Sequence, residues 1–236
     1  MLKNFLRRVL QKKIQVALKK VRNDYGVFSF KSYSQEGEDM ILRRLFETQQ
    51  TGFYIDVGAH HPKRFSNTYF FYKKGWQGIN IDAMPGSMEI FKKLRPRDIN
   101  IEKAISDRNQ VLTYYAFNEP ALNGFSKELS EERDGHNEYK IIFKADLETA
   151  PLSEILDIYL PENQNIDFMS IDVEGFDLMV LKSNDWEKFS PKFVVVEILE
   201  SSLNEIETSE ITRFLKQFSY IIYAKCVNTV FFKLVD

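Results

Sequence analysis

Apolar and polar positions along this chain follow two alternating rhythms. From residue 52 onward, short continuous apolar runs give way to stretches whose apolar residues recur every three or four positions. The runs Gly52–Gly58, Gly78–Asp82, Ile99–Ile105, Val111–Phe117, Ile166–Val173 and Phe193–Ile198 read as strands. They do not alternate, as expected of parallel strands buried on both faces. The intervening stretches read as helices. One spans Tyr69–Lys74, and a second follows the Pro85-Gly86 turn with Met88, Phe91 and Leu94 on one face. Ser153 caps a third, Ile155–Leu160, which Pro161 ends. Phe176–Lys182 is a fourth, and Ile211, Phe214, Leu215 and Phe218 mark a fifth. Tyr220–Ala224 and Thr229–Val235 read as an antiparallel pair. Strands alternating with helices imply an α/β fold with a mostly parallel, doubly wound sheet. The polar stretch 118–138 is long for an idle loop. It reads as a lid, or as holding a short helix around Lys127–Arg133, with the lid preferred.

The first 22 residues break this pattern. Leu2, Phe5, Leu6, Val9, Leu10, Ile14, Ala17, Leu18 and Val21 recur at spacings of three and four, which predicts an amphipathic helix. Its other positions hold eight bases and no acid. The formal net charge of −2 is therefore a segment of +8 joined to a body of −10. Charges interrupt the apolar positions too often for a secretory signal, and no apolar run approaches the roughly 18 residues that span a bilayer. Two readings fit: a helix packed on its own domain, or one lying on an anionic membrane surface. The acidic body argues against nucleic acid. A single cysteine, Cys226, excludes an intramolecular disulfide framework and a Cys-rich zinc module.

Four strands finish on a carboxylate: Asp56, Asp82, Asp172 and Glu197. In an open α/β sheet, ligands sit outside the carboxyl ends of the strands. Asp56 or Asp172 alone fits a helix cap. Four together form a negative rim that needs cations or hydrogen-bond donors. A dinucleotide pyrophosphate suits such a rim poorly, and Asp56-Val-Gly58-Ala59-His60-His61-Pro62 has one glycine where G-x-G-x-x-G has three. S-adenosylmethionine, with its sulfonium, ammonium and ribose diol, suits the rim. Asp82 stands where a ribose acceptor is expected. A divalent metal such as Mg²⁺ is the other way to satisfy the acids, with Asp172 and Glu197 as its ligands.

The blocks Ser34-Gln35-Glu36-Gly37-Glu38-Asp39, Ile55-Asp56-Val57-Gly58-Ala59-His60 and Ile171-Asp172-Val173-Glu174-Gly175, with Val180-Leu181-Lys182, resemble the FkbM family of S-adenosylmethionine-dependent methyltransferases. The likeness runs from about Ser32 to Glu200. Residues 1–22 then stand apart as the basic amphipathic helix read above, and the resemblance implies 32–236 as the methyltransferase domain. The domain would have a class I, Rossmann-like, doubly wound seven-stranded sheet with an antiparallel last strand. It also implies O-methylation of a sugar, glycan or related metabolite hydroxyl, as in polysaccharide biosynthesis. Pro62 departs from the glycine common in the family, and Asp82 replaces a common Glu.

The cofactor residues expected on this basis are Gln35, Asp56, Gly58, Ala59, His60, Asp82, Ala83, Ala104, Ile105 and Asp172. Asp172, His61 and Glu174 are the catalytic candidates, since an alcohol needs a base to shed its proton. The expected partner is a small-molecule or glycan acceptor, and the expected place is the cytoplasm, with peripheral contact at the inner face of the membrane. A non-catalytic scaffold and an NAD-dependent oxidoreductase are the rival readings.

Overall fold

The computed structural model describes residues 10–18, 29–199 and 202–235. The chain divides into two units, Met1–Ser32 and Tyr33–Asp236. In the first, residues 10–18 form helix α1, and all nine are exposed. The flanking parts of the expected amphipathic helix lie outside the described residues. Among the described residues no helix is long and apolar enough to cross a membrane.

The second unit is built on a seven-stranded sheet of order β3-β2-β1-β7-β8-β10-β9. Its strands are β1 (Phe53–Val57), β2 (Gln77–Asp82), β3 (Ile99–Glu102), β7 (Phe168–Ile171), β8 (Phe193–Glu197), β9 (Tyr220–Lys225) and β10 (Thr229–Leu234). The first five pair in parallel, whereas β10 runs antiparallel to both β8 and β9. This is the class I methyltransferase arrangement, with the antiparallel last strand expected. All residues of β1 and β7 are buried, so their apolar runs carry no alternation.

Two layers of core cover the sheet. On one face Ile55, Val57, Ile79, Ile81, Met169, Ile171, Val194 and Val196 pack with Leu152, Leu156, Val180 and Leu181. Those last four come from α6 (Leu152–Tyr159) and α7 (Asp177–Lys182). On the other face Tyr54, Phe168, Val195 and Phe231 meet Leu42 and Phe71. These two belong to α2 (Glu38–Leu45) and α3 (Tyr69–Lys73). Helix α4 (Met88–Leu94) links β2 to β3, and α8 (Leu203–Thr208) and α9 (Glu210–Lys216) precede β9.

Three expectations are corrected. The run Ile99–Ile105 is not one strand. It breaks at Lys103, whose N–H donates to the Asp82 carbonyl (3.0 Å), and β4 (Ala104–Ile105) then pairs with β6 (Ile141–Ala150). Strand β6 was not expected, and it forms a second, three-stranded sheet with β4 and β5 (Val111–Phe117). Helix α6 starts earlier than expected, with Pro151 rather than Ser153 at its cap, because the Leu152 N–H is taken by Ser183 Oγ (3.0 Å). The 118–138 stretch holds the 3₁₀ turn Pro120–Leu122 and helix α5 (Lys127–Arg133).

Candidate active site

The order reverses between β1 and β7, and a cleft opens beyond the carboxyl ends of these strands. The register explains why its acids meet. Val57 pairs with Ile81 on one side and Ile171 on the other, so the three strands end level. Asp82 and Asp172 therefore emerge at the same height.

Gly58 makes the crossing feasible. Its φ of +80° suits glycine, and a Cβ there would lie 1.8 Å from the Asp172 carbonyl oxygen. The turn is pinned to β2 by Gly58 and Ala59 N–H groups donating to the Ile81 carbonyl (2.9 and 3.0 Å). His60 N–H and Met84 N–H donate to the two oxygens of Asp82, each at 2.8 Å. Burial raises the Asp82 carboxyl despite these bonds. Each carboxylate oxygen accepts about two bonds, so these two amides do not saturate Asp82, which lines the cleft.

Across the cleft lies a second group of acids. One oxygen each of Asp172, Glu174 and Glu197 fall within 4.8 Å of one another. Asp172 is exposed to the cleft, and the protein crowding its carboxyl, followed by Glu197 and Glu174, holds it well above the ordinary range. Burial, then Glu174, pushes Glu197 up to about 8, and its Oε2 is buried without a partner among the described residues. Glu174 sits in a left-handed turn (φ +52°), followed by Gly175 at +85°. Arg133 from α5 bonds to it at 2.5 Å. The N–H groups of Val173 and Gly175 donate to Asp177, which closes the turn, and burial lifts its carboxyl to about 7.

The 118–138 segment forms the cleft's outer wall through Pro120, Ala121, Asn123, Gly124 and Phe125. Two ion pairs tie it down: Arg64 forks onto Glu119 (2.9 and 3.0 Å), and Arg133 holds Glu174. It holds the short helix that the sequence offered as one alternative, and it walls the cleft.

A family model for the methyltransferase FkbM domain matches residues 56–222, which include every one of these acids. The chain belongs to the FkbM methyltransferase family. It is accordingly a methyltransferase that uses S-adenosylmethionine. Among solved structures it is similar to a TehB-like S-adenosylmethionine-dependent methyltransferase from Corynebacterium glutamicum. That likeness has 7% identity and a TM-score of 0.44, covering 94% of this chain and 97% of the other. It is also similar to the O-methyltransferase TomG from Streptomyces achromogenes, solved with S-adenosylmethionine (10% identity, TM-score 0.41, covering 93% and 89%). An O-methyltransferase from Bacillus cereus gives 10% and 0.41, covering 93% and 90%. No curated protein sequence matches the chain. At such identities and scores the chemistry has to be argued from the site.

Of the expected residues, Gln35, Gly58, His60, Asp82, Ala83, Ile105, Asp172 and Glu174 line the cleft of this FkbM methyltransferase. Five others do not. Asp56 shares the Tyr54 face of β1 and accepts from Thr68 Oγ1 (2.6 Å) in the interior, because side chains alternate along a strand. Ala59 packs against Met88 and Phe91. Ala104 is buried, and the next residue, Ile105, is the one facing the cleft. Glu197 stands behind Asp172 rather than in the cleft wall. His61 turns its Nδ1 to the N–H groups of Lys63 and Arg64 (3.1 and 3.0 Å), and is thereby occupied as a turn cap. Its neighbour His60 is the histidine in the cleft wall, with Nε2 buried and unpartnered among the described residues. Burial and then Arg64 lower it to about 4, so it is neutral at pH 7.

Sequence reasoning missed Lys103, Tyr114, Asn123 and Phe125, all in the cleft wall. Lys103 left a signal, a charge interrupting an apolar run. Tyr114 and Phe125 left none, since their rings touch only through the second sheet and the lid (5.1 Å).

Proposed function

We propose that this enzyme transfers the methyl group of S-adenosylmethionine to a hydroxyl oxygen of a sugar or glycan. The observation that carries O-methylation is Asp172: a carboxyl at a strand end, open to the cleft, which crowding by protein and then Glu197 and Glu174 make a stronger proton acceptor than a free carboxylate. The residues present fit the cofactor. Asp82 lines the cleft with acceptor capacity beyond its two backbone bonds for the ribose hydroxyls, Gly58 lets the backbone approach, and the acid trio suits a cation. When bound, S-adenosylmethionine supplies an electrophilic methyl group on a good leaving group. The protein's own task is to position the acceptor and remove its proton.

Asp172 would take the hydroxyl proton as the acceptor oxygen receives the methyl group, and would hold that proton on its carboxyl. Glu197 and Glu174 keep Asp172 basic by repulsion, while Arg133 fixes Glu174 from the lid. For the acceptor class, support comes from the family likeness and from Phe65, Phe125 and Phe176 in the cleft wall, rings that suit the C–H faces of a sugar. A second reading of the trio is favoured by its geometry: three carboxylate oxygens at this separation fit a hard divalent cation, which would activate the hydroxyl in place of a free base.

Incubation with methyl-labelled S-adenosylmethionine and panels of nucleotide sugars, lipid-linked glycans and polymeric glycans tests the reading. Label on a sugar hydroxyl is expected, and Asp172→Asn is expected to lower turnover by about 10²–10⁴-fold. Label on nitrogen or on non-sugar acceptors alone would overturn the sugar assignment. EDTA followed by Mg²⁺ separates base from metal: unchanged turnover removes the metal, and loss with rescue establishes it.

A further inference from the structure

Helix α1 presents aliphatic side chains to solvent that the methyl-transfer site does not use. Leu10, Ile14 and Leu18 are 61%, 49% and 63% exposed. Residues four apart on a helix drift by about 40°, so the three form one stripe, and Lys12 and Lys13 project from the rest of the circumference. The sequence on either side carries the same apolar spacing. Residues 1–22 hold eight bases and no acid, whereas residues 23–236 are acidic by ten charges.

We propose that α1 docks on an anionic lipid bilayer, its aliphatic stripe among the acyl chains and its lysines at the headgroup phosphates. Charge and apolarity together select this occupant. A nucleic acid would satisfy the bases but leave the exposed stripe in water. A second copy of the same segment would bring eight more positive charges against the first eight, with no acid to separate them. An anionic bilayer answers both features at once.

Flotation of the full chain with vesicles of phosphatidylcholine, with and without phosphatidylglycerol, tests the proposal. The wild type should float with the anionic vesicles and not with the neutral ones. The triple variant Leu10→Glu, Ile14→Glu, Leu18→Glu and the double variant Lys12→Glu, Lys13→Glu should each lose at least about tenfold in partitioning. Both should bind S-adenosylmethionine as the wild type does, which shows that the catalytic unit is folded. Three results would overturn the proposal: no flotation of the wild type, flotation that both variants retain, or a concentration-dependent dimer that the triple variant dissolves.

Discussion

This enzyme holds two clusters of charge, one fully buried and one at the cleft, and the fold treats them in opposite ways. Between β1, β2 and the α4–β3 turn, Arg95 and Asp98 form an ion pair (2.7 Å) whose side chains are fully buried. The hydrogen bonds of this pair are complementary. Arg95 also donates to Tyr54 OH (2.8 Å), and Asp98 accepts from Tyr54 OH, Gly78 N–H and Asn80 Nδ2. Beyond β7 and β8, Asp172, Glu174 and Glu197 repel one another, with Arg133 on one of them. The first cluster is complete without a ligand and holds the sheet edge in register. The second is incomplete, and it is the one that faces the cleft. Charge the fold leaves uncompensated marks where chemistry occurs.

Breaking the paired cluster should have the largest effect on stability. Arg95→Ala strands Asp98 in the interior and is expected to cost about 3–5 kcal/mol, read as a large fall in melting temperature. Asp82 stands between the two cases, half satisfied by backbone amides. Asp82→Ala should weaken S-adenosylmethionine binding by about 10- to 100-fold, equivalent to the ~1.5–3 kcal/mol of hydrogen bonds to a charged group, as measured by calorimetric titration.

The acid trio should reveal itself in pH dependence. Glu197 has a folded pKa raised from 4.5 to about 8. Its contribution to stability is therefore fully present below 4.5 and lost as pH rises through about 8. Melting curves of the ligand-free protein should show this decline, and Glu197→Gln should flatten it. An unchanged slope would mean that Glu197 is not the group responsible. The smallest effect is expected at His61. His61→Ala removes a turn cap and should cost roughly 1 kcal/mol in stability with turnover nearly unchanged. A turnover collapse would restore it as a base.

Much of the sheet was legible because its strands are apolar runs buried on both faces, as in Phe53–Val57 and Phe193–Glu197. Strand β6 was not, because Ile141–Ala150 is a half-exposed ribbon with Ile142, Phe143 and Lys144 all outward. Helix α8 had left a readable signal, the capping box of Ser202 and Glu205, which the apolar spacing did not bring out. For the site, position along a strand located Asp82 and Asp172, but side-chain direction was hidden. Asp56 precedes the turn by two residues and so points into the core, and the choice between His60 and His61 rested on backbone geometry, His60 having φ +50°. The lid's rings and Lys103 reach the cleft only through pairings between distant segments.

The contrast between the two clusters is tested most directly by the melting temperature of Asp172→Asn, measured with and without S-adenosylmethionine. Removing one of three repelling carboxylates should leave the ligand-free melting temperature equal to or above that of the wild type, and should shrink the rise that the cofactor produces. A fall in the ligand-free value like that of Arg95→Ala, with the cofactor's effect intact, would contradict the account.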